Sequence, residues 1–426
     1  VENGAVLDVP LDLRYTPDVP AERLVVHAGH LVDGKSEHAR DGVDIVIVGN
    51  RIRSVEPHRA ALHSGARVVD ASNLTVMPGL VEYHSHLQPD YGESQMRSWL
   101  AFGITTVRSP GGTPYEAAAD REMADAGVRP SPRIYSTGYL FEWNRAYYKM
   151  SVAISSPAHL ELELQRAKVL QHDLIKSYVR MPDLQQRRIV EFAHDAGVPS
   201  SSHEVFPAAF SGIDGTEHTT GTSRRGYSPK LATLTRAYED VNQILGKAGM
   251  TLTPTLALSG VTMRNMIAGD STFRNDPRLA LHPSWLSAQI TSGVIAFGAP
   301  PPGRTTVAGS ELVMSAMKAG AHIVAGTDTP SPAYLHAELM AYVAAGMTPF
   351  EALRTATVNA AAALQLDAGT IEAGKLADLA MVDGNPLLNI AATRKVKKVM
   401  VNGRVYDVDA LVKGTIAQRL PVQAPR

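Results

Sequence analysis

The spacing of apolar and polar positions divides the chain into three textures. The opening stretch, VENGAVLDVPLDLRYTPDVP, carries three prolines and no period, which predicts an extended arm over residues 1–21. Over residues 22–77 come short β-type runs, LVVHAGHLVDG, VDIVIVGNRIRSVEP and RVVDASNLTV, separated by Gly, Asn and Asp turns. They predict a small antiparallel sheet. The same texture returns over residues 365–415 in ADLAMVDGNP and KVKKVMVNGRVYDV, the latter folding back at Asn402-Gly403. Both chain ends are therefore expected to build one small β-sandwich domain.

Between them, over residues 78–364, an apolar β-type run followed by a helical stretch recurs: LVEYH, ITTVRS, RIYSTG, LIKSYV, VPSSSH, GIDGTEH, LTPTLAL and HIVAGTD. Eight such units predict an α/β fold closed as a (β/α)₈ TIM barrel more than an open sheet. Residues 156–172 place apolar side chains at helical spacing against Glu, Gln, Arg and Lys, as an outer-ring helix would. The gap between the seventh and eighth runs, about residues 259–306, contains Trp285 and GAPPPGR, and an insertion of this kind is usually functional or a lid.

Composition narrows the partners. With 426 residues, 44% of them hydrophobic and 19% charged, the chain can bury a large core, yet no segment approaches the ~20 apolar residues of a membrane span. A formal net charge of −1 lacks the basic excess of a nucleic-acid binder and points to a small-molecule substrate. The absence of cysteine excludes disulfides, thiolate metal sites and Cys nucleophiles, so any metal rests on His, carboxylate or modified Lys. The chain starts at Val1 without a basic and apolar leader. A cytoplasmic location is favoured on that ground, with periplasm or secretion open to a protein that has lost a leader or an upstream domain. Homo-oligomerisation is left open.

Candidate chemistry starts at the HSH that closes the first barrel run. Residues i and i+2 of a strand point the same way, so His84 and His86 would reach one metal together. The string PGLVEYHSH resembles the first-strand signature of the amidohydrolase superfamily, and later strand ends match that superfamily in order from Arg23 onward. The resemblance implies that His84 and His86 bind a more buried metal. It implies that Lys176, in DLIKSYV, is carboxylated to N6-carboxylysine and bridges two divalent ions, zinc by their N and O ligands. His203 in SSHEV and His218 in GTEHTTG would hold the more exposed ion, and Asp328 in AGTDTP would complete the set. The implied chemistry is hydrolysis by a metal-bridging hydroxide, with Asp328 as the catalytic proton shuttle.

Each residue also has an ordinary use. Lys176 could snorkel to solvent, His203 and His218 could be polar fillers, and Asp328 could cap the helix near Pro332. Their joint placement at the ends of the first, fourth, fifth, sixth and eighth runs favours the metal site. Tyr178 and Arg180 share the parity of Lys176 and are candidates for binding a substrate carboxylate, as are Arg225 and Tyr227 on the loop after the sixth run. Trp143 and Tyr147 could wall a pocket, and His336 is expected to pack within a helix.

The tail, GMTPFEALRTATVNAAAALQLDAGTIEAGKLADLAMVDGNPL, resembles the branch that contains imidazolonepropionase-like enzymes, prolidases and related dipeptidases. The residues before Ala21 resemble the junction in proteins where a TolB-like β-propeller precedes such a domain. A dipeptide, an N-acyl amino acid or a cyclic amide is the implied substrate. A lactonase or esterase on the same two metals, a mononuclear deaminase-like enzyme and a non-catalytic scaffold are the alternatives.

Overall fold

The computed structural model describes residues 14–87, 91–220, 230–232, 236–293 and 307–418. Near the chain start, β-branched and aliphatic alternation forms strands β1 (Arg23–Leu31), β2 (Arg40–Val48), β3 (Arg51–Pro57) and β4 (Arg67–Pro78). β2 pairs antiparallel with β1 and with β3. β4 departs from the antiparallel expectation and runs parallel to β1. The reason is the connection: a 3-10 turn at Ala60–His63 leads from edge strand β3 past β2 to the far side of β1. A hairpin would have forced the antiparallel direction, whereas a crossover permits the parallel one.

All eight central runs contain strand. β5 (Leu80–Glu82), β6 (Ile104–Ser109) and β7 (Arg133–Ser136) form one parallel sheet. β8 (Leu140–Trp143) and β9 (Ser151–Ile154), which the pattern did not announce, form a separate parallel pair. β10 (Ile175–Lys176), β11 (Ser200–Ser202), β12 (Gly215–Glu217), β13 (Thr251–Thr253) and β14 (His322–Ile323) form a second parallel sheet in chain order. Backbone hydrogen bonds join the two parallel sheets at both seams. Tyr83 N donates to Ala325 O at 3.0 Å, and Asp173 N donates to Ser136 O at 2.9 Å.

The expected outer helix spans Pro157–Val169. Ser156 caps it by accepting the His159 amide at 3.1 Å, and Leu160, Leu164 and Ala167 form its buried stripe. The long gap before β14 holds helices Val261–Gly269 and Ser284–Ser292 with two 3-10 turns between them, while GAPPPGR lies outside the described residues. No helix among the described residues is long and apolar enough to cross a membrane.

The far end of the chain contributes β15 (Leu379–Val382), β16 (Val396–Val401) and β17 (Arg404–Asp407). β15 pairs with β4, which completes a seven-stranded sheet in the order β17-β16-β15-β4-β1-β2-β3. Leu24, Val26, Ile45, Ile47, Leu379 and Met400 form a core of its own on this sheet. The larger core, with Trp99, Phe102, Leu252, Leu335 and Tyr342, lies among the parallel strands and their helices. Arg133 on β7 pairs with the nearly buried Asp378 just before β15, Nε to Oδ2 at 2.8 Å, and ties the two regions together.

Candidate metal centre

β5 stops at Glu82, and the next four residues carry His84 and His86 beyond the strand end. Glu82 is fully buried and anchors this turn, accepting His84 N at 2.8 Å and both the amide and the hydroxyl of Thr327 at 3.0 Å. Burial pushes its carboxyl well above the usual range, against those hydrogen bonds. The Thr327 and Asp328 amides in turn donate to His84 O at 3.1 and 2.6 Å, which sets the Asp328 segment against the His84 segment. Gly326 is required for that approach, because a Cβ there would lie 2.7 Å from His84 N and Cβ. Three non-glycine residues here, His218, Thr255 and Asp328, have positive φ of 64°, 50° and 54°. Left-handed backbone of this kind costs of order 1–3 kcal/mol per residue and concentrates at functional sites.

The hydrogen bonds of the imidazoles decide their tautomers. Nδ1 of His84 lies 2.7 Å from the Glu217 carboxylate and Nδ1 of His86 lies 2.7 Å from Gly111 O, two groups that accept. Nδ1 of His218 lies 2.6 Å from the Thr255 hydroxyl, which already donates to Pro254 O and so accepts from the ring. Each Nδ1 therefore carries the proton and each Nε2 presents a lone pair. All three Nε2 atoms face one carboxylate: 3.6 Å from His84 and 3.3 Å from His86 to Asp328 Oδ1, and 3.8 Å from His218 to Oδ2. Ligand atoms of His84, His218 and Asp328 all lie within 4.8 Å of one another. Burial holds His86 below, and His203 and His218 well below, the ordinary imidazole range, so they are neutral and able to ligate.

His203 joins the cluster by ring packing, its centroid 4.6 Å from that of His218, and its Nδ1 is buried without a hydrogen-bond partner. Lys176 is 1% exposed. Its Nζ sits 3.1 Å from Glu217 Oε1, an ion-pair distance, but off the hydrogen-bonding direction. Burial, with Arg108 adding to it, pulls its ammonium down to about 8 against the opposing pull of Glu217. The unpartnered Nδ1 of His203 and the buried amine of Lys176, beside three converging lone pairs and a carboxylate, fit a centre for divalent metal.

The sequence model of the "Amidohydrolase family" matches residues 187–406, just over half of the chain. The chain belongs to the amidohydrolase family. A dihydroorotase from Leifsonia xyli subsp. xyli is 35% identical over 92 residues, which is 20% of this chain and 19% of that protein. The chain thus matches only about a fifth of that curated relative's length. Two solved structures resemble the whole fold. A putative prolidase from Bifidobacterium longum is 24% identical with a TM-score of 0.69, covering 93% of this chain and 99% of its own. A molinate hydrolase is 20% identical with a TM-score of 0.70, covering 95% and 98%.

Within this amidohydrolase, the six residues expected as metal ligands gather at the ends of strands from both parallel sheets. Tyr178 packs on His203 with centroids 4.8 Å apart. Arg180 is reached differently from the parity expectation, because β10 ends at Lys176 and residues 179–180 form a turn. Its Nε lies 3.5 Å from the buried Glu142. Arg225 and Tyr227 lie outside the described residues. His336 packs inside its helix, with its ring nitrogens 3.0 Å from Thr393 Oγ1 and Phe102 O. Sequence reading missed Glu217, whose carboxylate meets His84 Nδ1, Lys176 Nζ and Arg108 Nη2, the last at 3.0 Å. It also missed Arg108 and Lys230, whose Nζ donates to the carbonyls of His203 and Glu217 at 2.8 and 2.6 Å. For Arg108 and Glu217 the available signal was a charge near the end of a β-type run, in ITTVRS and GIDGTEH, whereas nothing of the kind marks Lys230.

Proposed function

We propose that this amidohydrolase hydrolyses a C–N bond, amide or peptide, in a small carboxylated substrate such as a dipeptide, an N-acyl amino acid or a cyclic amide. The convergence of three Nε2 lone pairs on the Asp328 carboxylate carries this reading. We take the two seams between the parallel sheets as closure of a (β/α)₈ barrel over residues 78–364, with a β-sandwich domain from residues 22–77 and 365–415; of the arm expected at residues 1–21, residues 1–13 lie outside the described residues. His84, His86, Lys176, His203, His218 and Asp328 would hold two divalent ions, zinc by their donor set, with Lys176 as N6-carboxylysine. Carbamate formation needs the neutral amine, and the lowered pKa of Lys176 makes that form accessible near neutral pH.

Bound ions of this type supply Lewis acidity to a water and to the substrate carbonyl. Asp328 accepts the proton of the attacking water on a carboxylate oxygen and returns it to the departing nitrogen. Water then adds across the C–N bond, with OH on the carbonyl carbon and H on the amine. Tyr178, beside His203, and Arg180, beside Glu142, are the described residues we place toward the substrate, together with Arg225 and Tyr227, which follow the sixth run in the sequence.

The test compares wild type with Lys176→Ala, both purified in bicarbonate, by metal content and by turnover of a panel of dipeptides, N-acyl amino acids and lactones. The expected result is fewer ions per chain in the variant, together with loss of amide hydrolysis. Equal metal content with retained turnover overturns the carboxylysine, and turnover of lactones alone overturns the C–N assignment.

A further inference from the structure

A second cluster of metal-ligating side chains lies in the seven-stranded sheet. His27 on β1 faces Asp44 on β2 in the strand register, so both side chains leave the same face of the sheet. His58 follows β3 directly, and His63 sits on the 3-10 turn that begins the crossover to β4. Two neighbouring strands and the connection between β3 and β4 thus meet at one carboxylate. Asp44 is fully buried, while the three imidazoles are partly exposed.

The distances are those of a coordination shell. Asp44 Oδ1 lies 2.8 Å from His27 Nδ1 and 3.2 Å from His63 Nε2, and Oδ2 lies 3.1 Å from His58 Nδ1. One ligand atom from each of the four residues lies within 4.8 Å of the others. With metal–ligand bonds of about 2.0–2.1 Å, a tetrahedral zinc site has ligand–ligand edges of about 3.3 Å. The ring centroids are 4.2, 5.7 and 5.2 Å apart, close enough to share one ion.

Asp44 gathers three imidazoles and one amide, with His27 and His63 on Oδ1 and His58 and the Arg59 amide on Oδ2 at 3.1 and 3.0 Å. Three imidazoles around one buried carboxylate are also the donor set of a tetrahedral zinc site, in which each ring turns a lone pair to a shared cation. We propose that His27, Asp44, His58 and His63 form a structural site for one divalent ion of the zinc class, which clamps the crossover onto the sheet. Four protein ligands leave no open position for substrate, so the site holds the fold and takes no part in hydrolysis. It stands on these residues alone and does not depend on the activity assigned to the other centre.

The full chain is stripped with a chelator, reloaded with zinc, desalted and counted for metal by plasma mass spectrometry. Wild type is compared with His58→Ala/His63→Ala and with Asp44→Asn. We expect each variant to hold one zinc fewer per chain than wild type, with hydrolytic turnover retained. Equal zinc content in folded variants overturns the site. Should a variant fail to fold, zinc-edge anomalous scattering from wild-type crystals decides: a peak among the three imidazoles supports the site and its absence overturns it. Loss of the other centre would instead appear in Lys176→Ala, so the two assignments fail separately.

Discussion

His218 illustrates how a single residue is made into a ligand. Its positive φ turns the side chain out of β12, and Thr255, itself left-handed, pins Nδ1 so that Nε2 is left to bind. Glu217, one position earlier, does the same for His84 while it neutralises Arg108 and Lys176. Its carboxyl is subject to burial, which raises it, but Arg108, Lys176 and His84 outweigh that and hold it well below the usual range. Glu217→Gln keeps the shape and removes the charge, leaving the buried Arg108 guanidinium without its anion. The expected loss is about 3 kcal/mol in urea unfolding and on the order of 10–100-fold in metal affinity by chelator competition. A wild-type midpoint together with unchanged metal binding would show that Glu217 is merely a filler.

At the scale of elements, the strands that carry the ligands are short, and their positions rest on the helices packed behind them. The helix Pro157–Val169 precedes β10 and its amide end is closed by Ser156. Replacing a capping serine by alanine orphans that donor and typically costs about 1 kcal/mol. Ser156→Ala is accordingly expected to lower the unfolding free energy by about that amount, with metal content unchanged. A larger loss accompanied by loss of metal would mean that the cap also sets the register of β10. The periodic pattern made this helix legible, since Leu160, Leu164 and Ala167 recur at i, i+4 and i+7. The parallel placement of β4 was not legible. Nothing local in RVVDASNLTV records which neighbour it joins, and the crossover decides that.

For the whole molecule, buried neutral histidines set the response to acid. Burial holds His282 at about 4 and His336 at about 3, the former against smaller upward pulls from the Arg278 and Leu279 backbone. An unfolded imidazole titrates near 6.5, so between that pH and the folded value the unfolded chain binds more protons. Stability is therefore complete above about pH 6.5 and is lost as pH falls toward about 4. His282→Leu removes one such group from the larger core. Its unfolding free energy should fall less than that of wild type between pH 7 and 5, by about 2 kcal/mol. Parallel pH profiles for the two proteins would exclude His282 as a contributor.

The sequence by itself determined the eight central runs, the two β-rich ends and the kinds of group available to a metal, because strand periodicity, turn residues and the absence of cysteine are local properties. His84 and His86 could be singled out for the same reason, since they close an apolar run, whereas Lys176, His203, His218 and Asp328 were implied by the resemblance to the amidohydrolase superfamily. The tertiary structure alone decided which of them share a carboxylate and which partner fixes each ring. His84 and Glu217 are 133 positions apart, Arg108 and Glu217 are 109 apart, and His27, Asp44, His58 and His63 come from two strands and a crossover. Such groups meet only when strands become neighbours, and the free energy of a buried charge or an imidazole tautomer is set by what lies across the gap rather than by what precedes it in the chain.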